Sequence, residues 1–163
     1  MRTLNHIYVV DSLFRARLSG ESSPFDATNT KATPSLARLR EAVEGTDAWY
    51  LTYVSSLGEK EALEVVDFTF TDGDEGRMSR EEILLHVVTH GGYHRGNVGQ
   101  TLKSIAIAPP RDQYTRFLHL SEPARRAKKR SRVTTHRWQK SARAPPDPER
   151  SVLHQEAAIV LQA

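Results

Sequence analysis

The chain has 163 residues, 23 Lys+Arg against 20 Asp+Glu for a net charge of +3, and no cysteine. That length makes one domain, or one domain with a tail, and the missing cysteines exclude disulfides and thiolate metal sites, which sets aside a bridge-held secreted protein and accords with a reducing cytoplasm. Hydrophobic residues make up 38% and the mean hydropathy is −0.54, so part of the chain is expected to lie outside a packed core.

The N-terminus, MRTLNHIYVVDSLF, has no apolar core or cleavage site of a signal peptide. No window approaches the roughly 18 uninterrupted apolar residues of a membrane span. The charge is unevenly placed. Residues 1–120 carry 13 basic and 16 acidic side chains, a net −3, whereas residues 121–163 carry 10 and 4, a net +6.

Residues 3–18 read as a helix, because Leu4, Ile7, Val10, Phe14 and Leu18 recur at steps of three and four. Gly20 is a natural stop. His6, Val10, Leu13 and Arg17 form a neighbouring stripe, which puts His6 at the edge of the apolar face. The stretch SGESSPFDATNTKATP is a turn-rich loop. A second helix is predicted over 35–57, with Leu36, Leu39, Val43, Tyr50, Tyr53 and Leu57 in helical period and Trp49 beside them. Ser35 or Thr33 caps it. The aromatics Trp49, Tyr50 and Tyr53 read as core and pocket wall. Val66, Phe68 and Phe70 then alternate with Asp67 and Thr69, which suits a short half-buried strand. With Asp72-Gly73 and Glu75-Gly76 as turn signals, a small hairpin or extended loop is expected.

Ser79 followed by Glu82 fits a capping box, opening a helix predicted over 80–106 that stops before Pro109-Pro110. RDQYTRFLHL makes one or two further helical turns. From residue 121 the chain is basic and Pro-interrupted, with too few aliphatic residues to offset its ordering entropy; VLHQEAAIVLQA at the end reads as a short helix. No internal repeat is present.

The 80–106 helix contains HVVTHGGYHRGNVGQ, with His86, His90 and His94 at successive four-residue steps. At about 100° per residue, setting His86 at zero puts His90 at about 40° and His94 at about 80°, while Ile83, Val87, Val98, Thr101 and Ile105 fall between about 60° and 120°. His90 and His94 thus point toward the buried face and His86 sits at its rim. Two imidazoles one turn apart can share a metal ion; hydrogen bonds to facing residues would also meet their desolvation cost. His6, on a separate inward-facing helix, is a third candidate ligand. Gly91, Gly92, Gly96 and Gly99 leave room for a neighbouring helix or a ligand, or else kink the segment at Gly91-Gly92.

Taken together, LNHIYVVDSLFRARLSGE, LLHVVTHGGYHRGNVGQTL and APPRDQYTRFL resemble the DinB/YfiT-like family of bacterial metal-binding helical-bundle proteins, over about residues 3–118. H-x-x-x-H-R-G is the most specific motif. The resemblance implies a mainly α fold: a four-helix bundle with a divalent metal, zinc or nickel, held by His6, His90 and His94. His86 matches a position that is often histidine in the family but not usually assigned as a ligand. Some members are thiol-dependent transferases or isomerases, so a low-molecular-weight thiol is an implied cofactor.

The sequence departs from the pattern at both ends. The family's first helix has no counterpart before LNHIYVVD, and the basic segment after Leu120 has none in the usual domain. The expected organisation is therefore a DinB-like domain over 1–120, lacking the first helix, followed by a basic tail over 121–163. A strip of core left open in this way predicts a homodimer, recruitment of the tail, or low stability.

Three histidines leave one coordination position open, the pattern of a catalytic metal. The leading functional expectation is a cytoplasmic metal- and thiol-dependent transferase or hydrolase acting on a small-molecule substrate, with catalytic side chains unassigned. Asp11 and Glu82 are the candidates to orient the imidazoles, and Arg95 reads as a surface or interface charge. The alternative is a non-catalytic, metal-stabilised stress-response or binding module. Nucleic-acid contact through RRAKKRSR ranks last, because such runs are more often solvated linkers, and no membrane partner is expected.

Overall fold

The computed structural model describes residues 1–125; the predicted basic tail beyond Arg125 and the terminal helix lie outside them. The described residues are mainly helical, with one small hairpin, as the sequence predicts. In chain order they are α1 (Arg2–Ser19), α2 (Leu36–Ser56), a four-residue α3 (Glu59–Ala62), β1 (Val65–Thr69), β2 (Glu75–Ser79), α4 (Arg80–Ser104) and α5 (Tyr114–Ser121), closed by a 3-10 turn, Pro123–Arg125.

The central element is α1. The sequence gives it one apolar stripe, but Ile7, Val9, Val10, Leu13, Phe14, Ala16 and Leu18 are all buried, and so are Asn5 and Ser12. A helix buried nearly all round is one packed from several sides. Here α2 and α4 take two sides, and the 21–30 loop returns along a third, with Phe25 edge-on to Tyr8. Gly20 ends α1 in the left-handed conformation, φ 69°, which a residue without Cβ adopts at no steric cost. Its position matches the predicted stop.

Ser35 caps α2, accepting from the Arg38 amide, so Thr33 is not the cap. The core joins Val10, Phe14 and Leu18 of α1 to Ile83 of α4, with Trp49, Tyr50 and Tyr53 packed against it. The strands pair antiparallel, Val65 opposite Ser79 and Thr69 opposite Glu75. Glu75-Gly76 is therefore not a turn. Gly76 lies within β2, where a Cβ would stand 2.6 Å from Cζ of Phe68 and 2.7 Å from Cε2 of Phe70. The rings need that gap in the strand.

The capping box at Ser79 and Glu82 is present. Arg80, the first residue of α4, ties the lower end of the bundle together. Its Nη1 donates to the Leu18 carbonyl at 3.1 Å and to the Tyr53 hydroxyl at 2.8 Å, and its Nε to Glu64 at 3.2 Å. Helix α4 runs unbroken through Gly91-Gly92, so the segment is not frayed there. The face expected to be buried fails only at its far end. Ile83 is fully buried, but Thr101 and Ile105 are exposed. Because His6 of α1 meets His90 while Phe14 meets His86, the two helices are antiparallel, and the last turns of α4 extend past the start of α1.

Candidate metal centre

The α1–α4 seam has two sides. On the side of the 21–30 loop it brings together His6, His90 and His94, half-buried, each offering a ring nitrogen, with these atoms all within 4.8 Å of one another. His6 comes from the first turns of α1, and the histidine pair from consecutive turns of α4. Their ring centroids are 4.5–5.0 Å apart. Nothing else among the described residues forms such a group.

The protonation of His6 follows from its partner. Its Nδ1 stands 2.6 Å from the carbonyl oxygen of Thr28. A carbonyl only accepts, so Nδ1 carries the proton and Nε2 presents a lone pair to the cluster. That Nε2 lies 3.2 Å from Nε2 of His90. Two nitrogens bound to one tetrahedral ion at about 2.0–2.1 Å would be about 3.3 Å apart. The separation already fits shared coordination.

Burial lowers the pKa of His90 to about 4, with the neighbouring His94, His6 and His86 adding to the effect. Burial, and then His6, lowers that of His94 as well. Both are neutral at pH 7, the form that donates a lone pair to a metal.

The Thr28 carbonyl is held in place by a network that sequence reasoning missed. Asn5, one residue before His6 and 1% exposed, donates through Nδ2 to Oγ1 of Thr30 at 2.7 Å and to Oδ1 of Asn29. Asn29 in turn donates to the Arg2 carbonyl at 3.1 Å, and Thr30 to the Ala32 carbonyl at 2.7 Å. The loop is thereby stitched to the start of α1, with Thr28 over His6. The one signal in the sequence was an asparagine inside an otherwise apolar helical face.

The predicted orienting carboxylates do not play that part. Glu82 is engaged in the capping box, accepting from the Ser79 amide at 2.7 Å, two turns below His90. Asp11 lies on the other side of the seam, in a cleft between α2 and α4 lined also by Asp47 and Arg95. The reason is angular: five residues beyond His6 on a helix is about 140° round. His86 stays outside the cluster, its ring stacked on His90 at 5.3 Å and against Phe14 at 4.7 Å.

Arg95 is a structural tie. Its guanidinium folds back over Gly91, where a Cβ would lie 2.8 Å from Nη1, and Nε donates to Asp112 at 2.6 Å. The arginine of the H-R-G motif thus anchors the segment after α4, and Gly91 provides the space. Gly92 and Gly96 face open space or nearly so, and at Gly91 the space is taken by Arg95 of the same helix, with Ile7 of α1 in ordinary contact at 3.9 Å, so of these three the predicted room for a neighbouring helix is used only at Gly91.

Fold and site together define a class: a mainly helical protein with a trihistidine cluster, shared between two helices, that could hold a metal ion. The family model for the DinB family matches residues 1–130, and the chain belongs to that family. Neither the curated proteins nor the solved structures contain a match. No described helix is long and apolar enough to cross a membrane.

Proposed function

We propose that His6, His90 and His94 bind one divalent metal ion, zinc or nickel, and that the protein is a metal-dependent enzyme that activates a low-molecular-weight thiol or a water for attack on a small electrophilic substrate. The observation that carries this reading is the convergence of three imidazole nitrogens from two helices, with one tautomer fixed by a main-chain carbonyl. Three imidazoles satisfy three of four tetrahedral positions and leave the fourth for an exchangeable ligand. An ion in this site would lower the pKa of a thiol or water in the open position and so supply a nucleophile near neutral pH.

The chain's own residues do the rest. Thr28 fixes the His6 ring and its proton, Asn5 holds the loop that carries Thr28, and burial keeps His90 and His94 deprotonated. Soft thiol ligands suit zinc and nickel bound by imidazole; magnesium or calcium would require oxygen donors.

A second reading is a metal-stabilised module without turnover. It is favoured by one observation: among the described residues no carboxylate is hydrogen-bonded to the three rings, and the ion would cross-link α1 to α4. The two readings separate in one experiment. The parent protein, loaded with zinc or nickel, is assayed with glutathione and an activated aryl halide, alongside His90→Ala. A metal-dependent rate that His90→Ala abolishes supports the enzyme. Metal binding with no rate across thiols and electrophiles supports the module.

A further inference from the structure

Round the other side of α4 lies a feature that the metal reading does not use. Val88 and Gly92 each stand two residues before a histidine of the cluster, about 160° round the helix from it. They line a cleft of about 690 Å³ between α4 and α5, within the range of small-ligand sites, about 300–1,000 Å³. Three ties hold the segment before α5 against α4. The Ile107 amide donates to the Leu102 carbonyl at 2.9 Å. Pro109 packs over Gly99, where a Cβ would meet the proline ring at 3.6 Å. Arg95 donates to Asp112 at 2.6 Å. Helix α5 itself stands away from α4. Tyr114, Phe117 and Leu120 share a face of it about 120° wide, and with Val88 they form the apolar wall of the cleft. All four remain 64–74% exposed.

We propose that this cleft binds a small organic anion with an apolar body, of the fatty or aryl carboxylate kind. Its charged lining is three guanidinium groups, Arg95, Arg111 and Arg116, against one carboxylate, Asp112. Arg95 and Asp112 satisfy each other. Arg111 and Arg116 make no ion pair among the described residues, which leaves two positive charges beside the apolar wall. Helix α5 also begins in the cleft, at Tyr114, without a side-chain cap, and the amide end of a helix favours an anion.

Both ends of such a ligand are needed to use the cleft. A bare inorganic anion leaves the wall of Tyr114, Phe117 and Leu120 wet, and an uncharged apolar molecule leaves the guanidinium groups unpaired. A carboxylate on an apolar body takes charge-assisted hydrogen bonds from arginine and covers the wall. The wall lines a cleft between two helices and not an open plane, which suits one inserted molecule better than a bilayer. The neighbouring cleft between α2 and α4 sets three carboxylates against Arg95 and would repel the same ligand. Residues 121–163 carry a net +6, so the chain beyond α5 brings no excess of negative charge to neutralise the two arginines.

The test is calorimetry on the full-length, chelator-treated chain. The probe is decanoate below its micelle concentration, beside acetate, which lacks the body, and decyltrimethylammonium, which has the wrong charge. One decanoate per chain is expected, with neither control bound. The double variant Arg111→Gln/Arg116→Gln should weaken decanoate by about 10-fold or more. Phe117→Ser, at an exposed position, should weaken it with the urea midpoint unchanged, and Leu51→Gln, in the acidic cleft, should leave it as it was. A parent that does not bind decanoate, or that binds decyltrimethylammonium equally well, overturns the proposal, as does full binding by the arginine double variant. Loss of binding in Leu51→Gln moves the ligand to the acidic cleft and overturns it too. Phosphatidylglycerol vesicles or oligothymidylate bound where free decanoate is not would overturn it in favour of a membrane or a nucleic acid. Metal content is not at issue in any arm, so failure here leaves the trihistidine reading standing.

Discussion

The buried carboxylate of Asp11 makes the most quantitative claim about stability. Burial, and then the neighbouring Asp47, push its pKa from 3.8 up to about 7, with Arg95 partly opposing them. In the unfolded chain the group ionises near its ordinary value. Between pH 3.8 and 7 the folded state therefore holds a proton that the unfolded state has released, and stability falls as pH rises through that window. Above about pH 7 the penalty is complete. A rise of about three pH units at 1.36 kcal/mol each is an upper bound of about 4 kcal/mol.

Asp11→Asn removes the charge and keeps the shape. An imperfectly paired amide costs about 1 kcal/mol of the gain, so the variant should be more stable than its parent by about 2–3 kcal/mol at pH 8. The gap between the two should widen by about 3 kcal/mol from pH 5 to pH 8. Urea titration of both proteins at the two pH values, with chelator present, measures this directly. At about 1–3 kcal/mol per molar urea, the pH 8 midpoint should rise by on the order of 1–2 M. Equal midpoints at pH 8, or the same gap at both pH values, would refute a carboxyl group strained by burial.

The other predictions concern the supports of the site. Asn5→Ala removes the donor that holds Asn29 and Thr30, so it should cost about 1–3 kcal/mol in urea unfolding and, through the loosened Thr28 carbonyl, about 10- to 100-fold in metal affinity by competition with a chromogenic chelator. An unchanged affinity would show that His6 is oriented by something else. Gly76→Ala forces a methyl into the Phe68 and Phe70 rings and should lose about 1–3 kcal/mol by the same unfolding assay, with metal affinity unaffected. Arg95→Gln breaks a half-exposed ion pair worth no more than about 1 kcal/mol, but it also removes the cation that lowers the pKa of Asp11 and of Asp47. Its destabilisation should therefore be larger at pH 8 than at pH 5, and a pH-independent loss would separate Arg95 from those carboxylates.

What could be read from the sequence was whatever depends on period and on local capping. Helices α1, α2 and α4 follow from apolar spacing, and their ends from Gly20, Ser35 and the Ser79–Glu82 box, because those signals act within one turn. The direction of His90 and His94 was legible for the same reason, since position on a wheel is fixed by residue number. What failed depended on partners distant in sequence. That α1 is buried on nearly all sides cannot be seen from its own stripe, because the covering 21–30 loop has no periodicity. Thr28 acts through its main chain, which no residue type announces. Asp11 and Glu82 were plausible as orienting groups by chemistry alone, yet a turn of about 140° sends one to the opposite side of the seam, and a helix cap engages the other. Gly76 resembles a turn residue in sequence and is instead the gap that two aromatic rings require. The short α3, Glu59–Ala62, has too few residues for any period to register.

The most direct measurement of the central claim is X-ray absorption at the metal edge of zinc-loaded protein, for the parent and for His6→Ala. Three imidazole nitrogens at about 2.0–2.1 Å with one further light ligand are expected in the parent, and two imidazoles in the variant. Losing one ligand should weaken binding by about 3 kcal/mol, taking a four-ligand structural zinc site as the scale, or roughly 100-fold. A parent spectrum with fewer than three imidazoles, or a variant spectrum identical to it, would contradict the site.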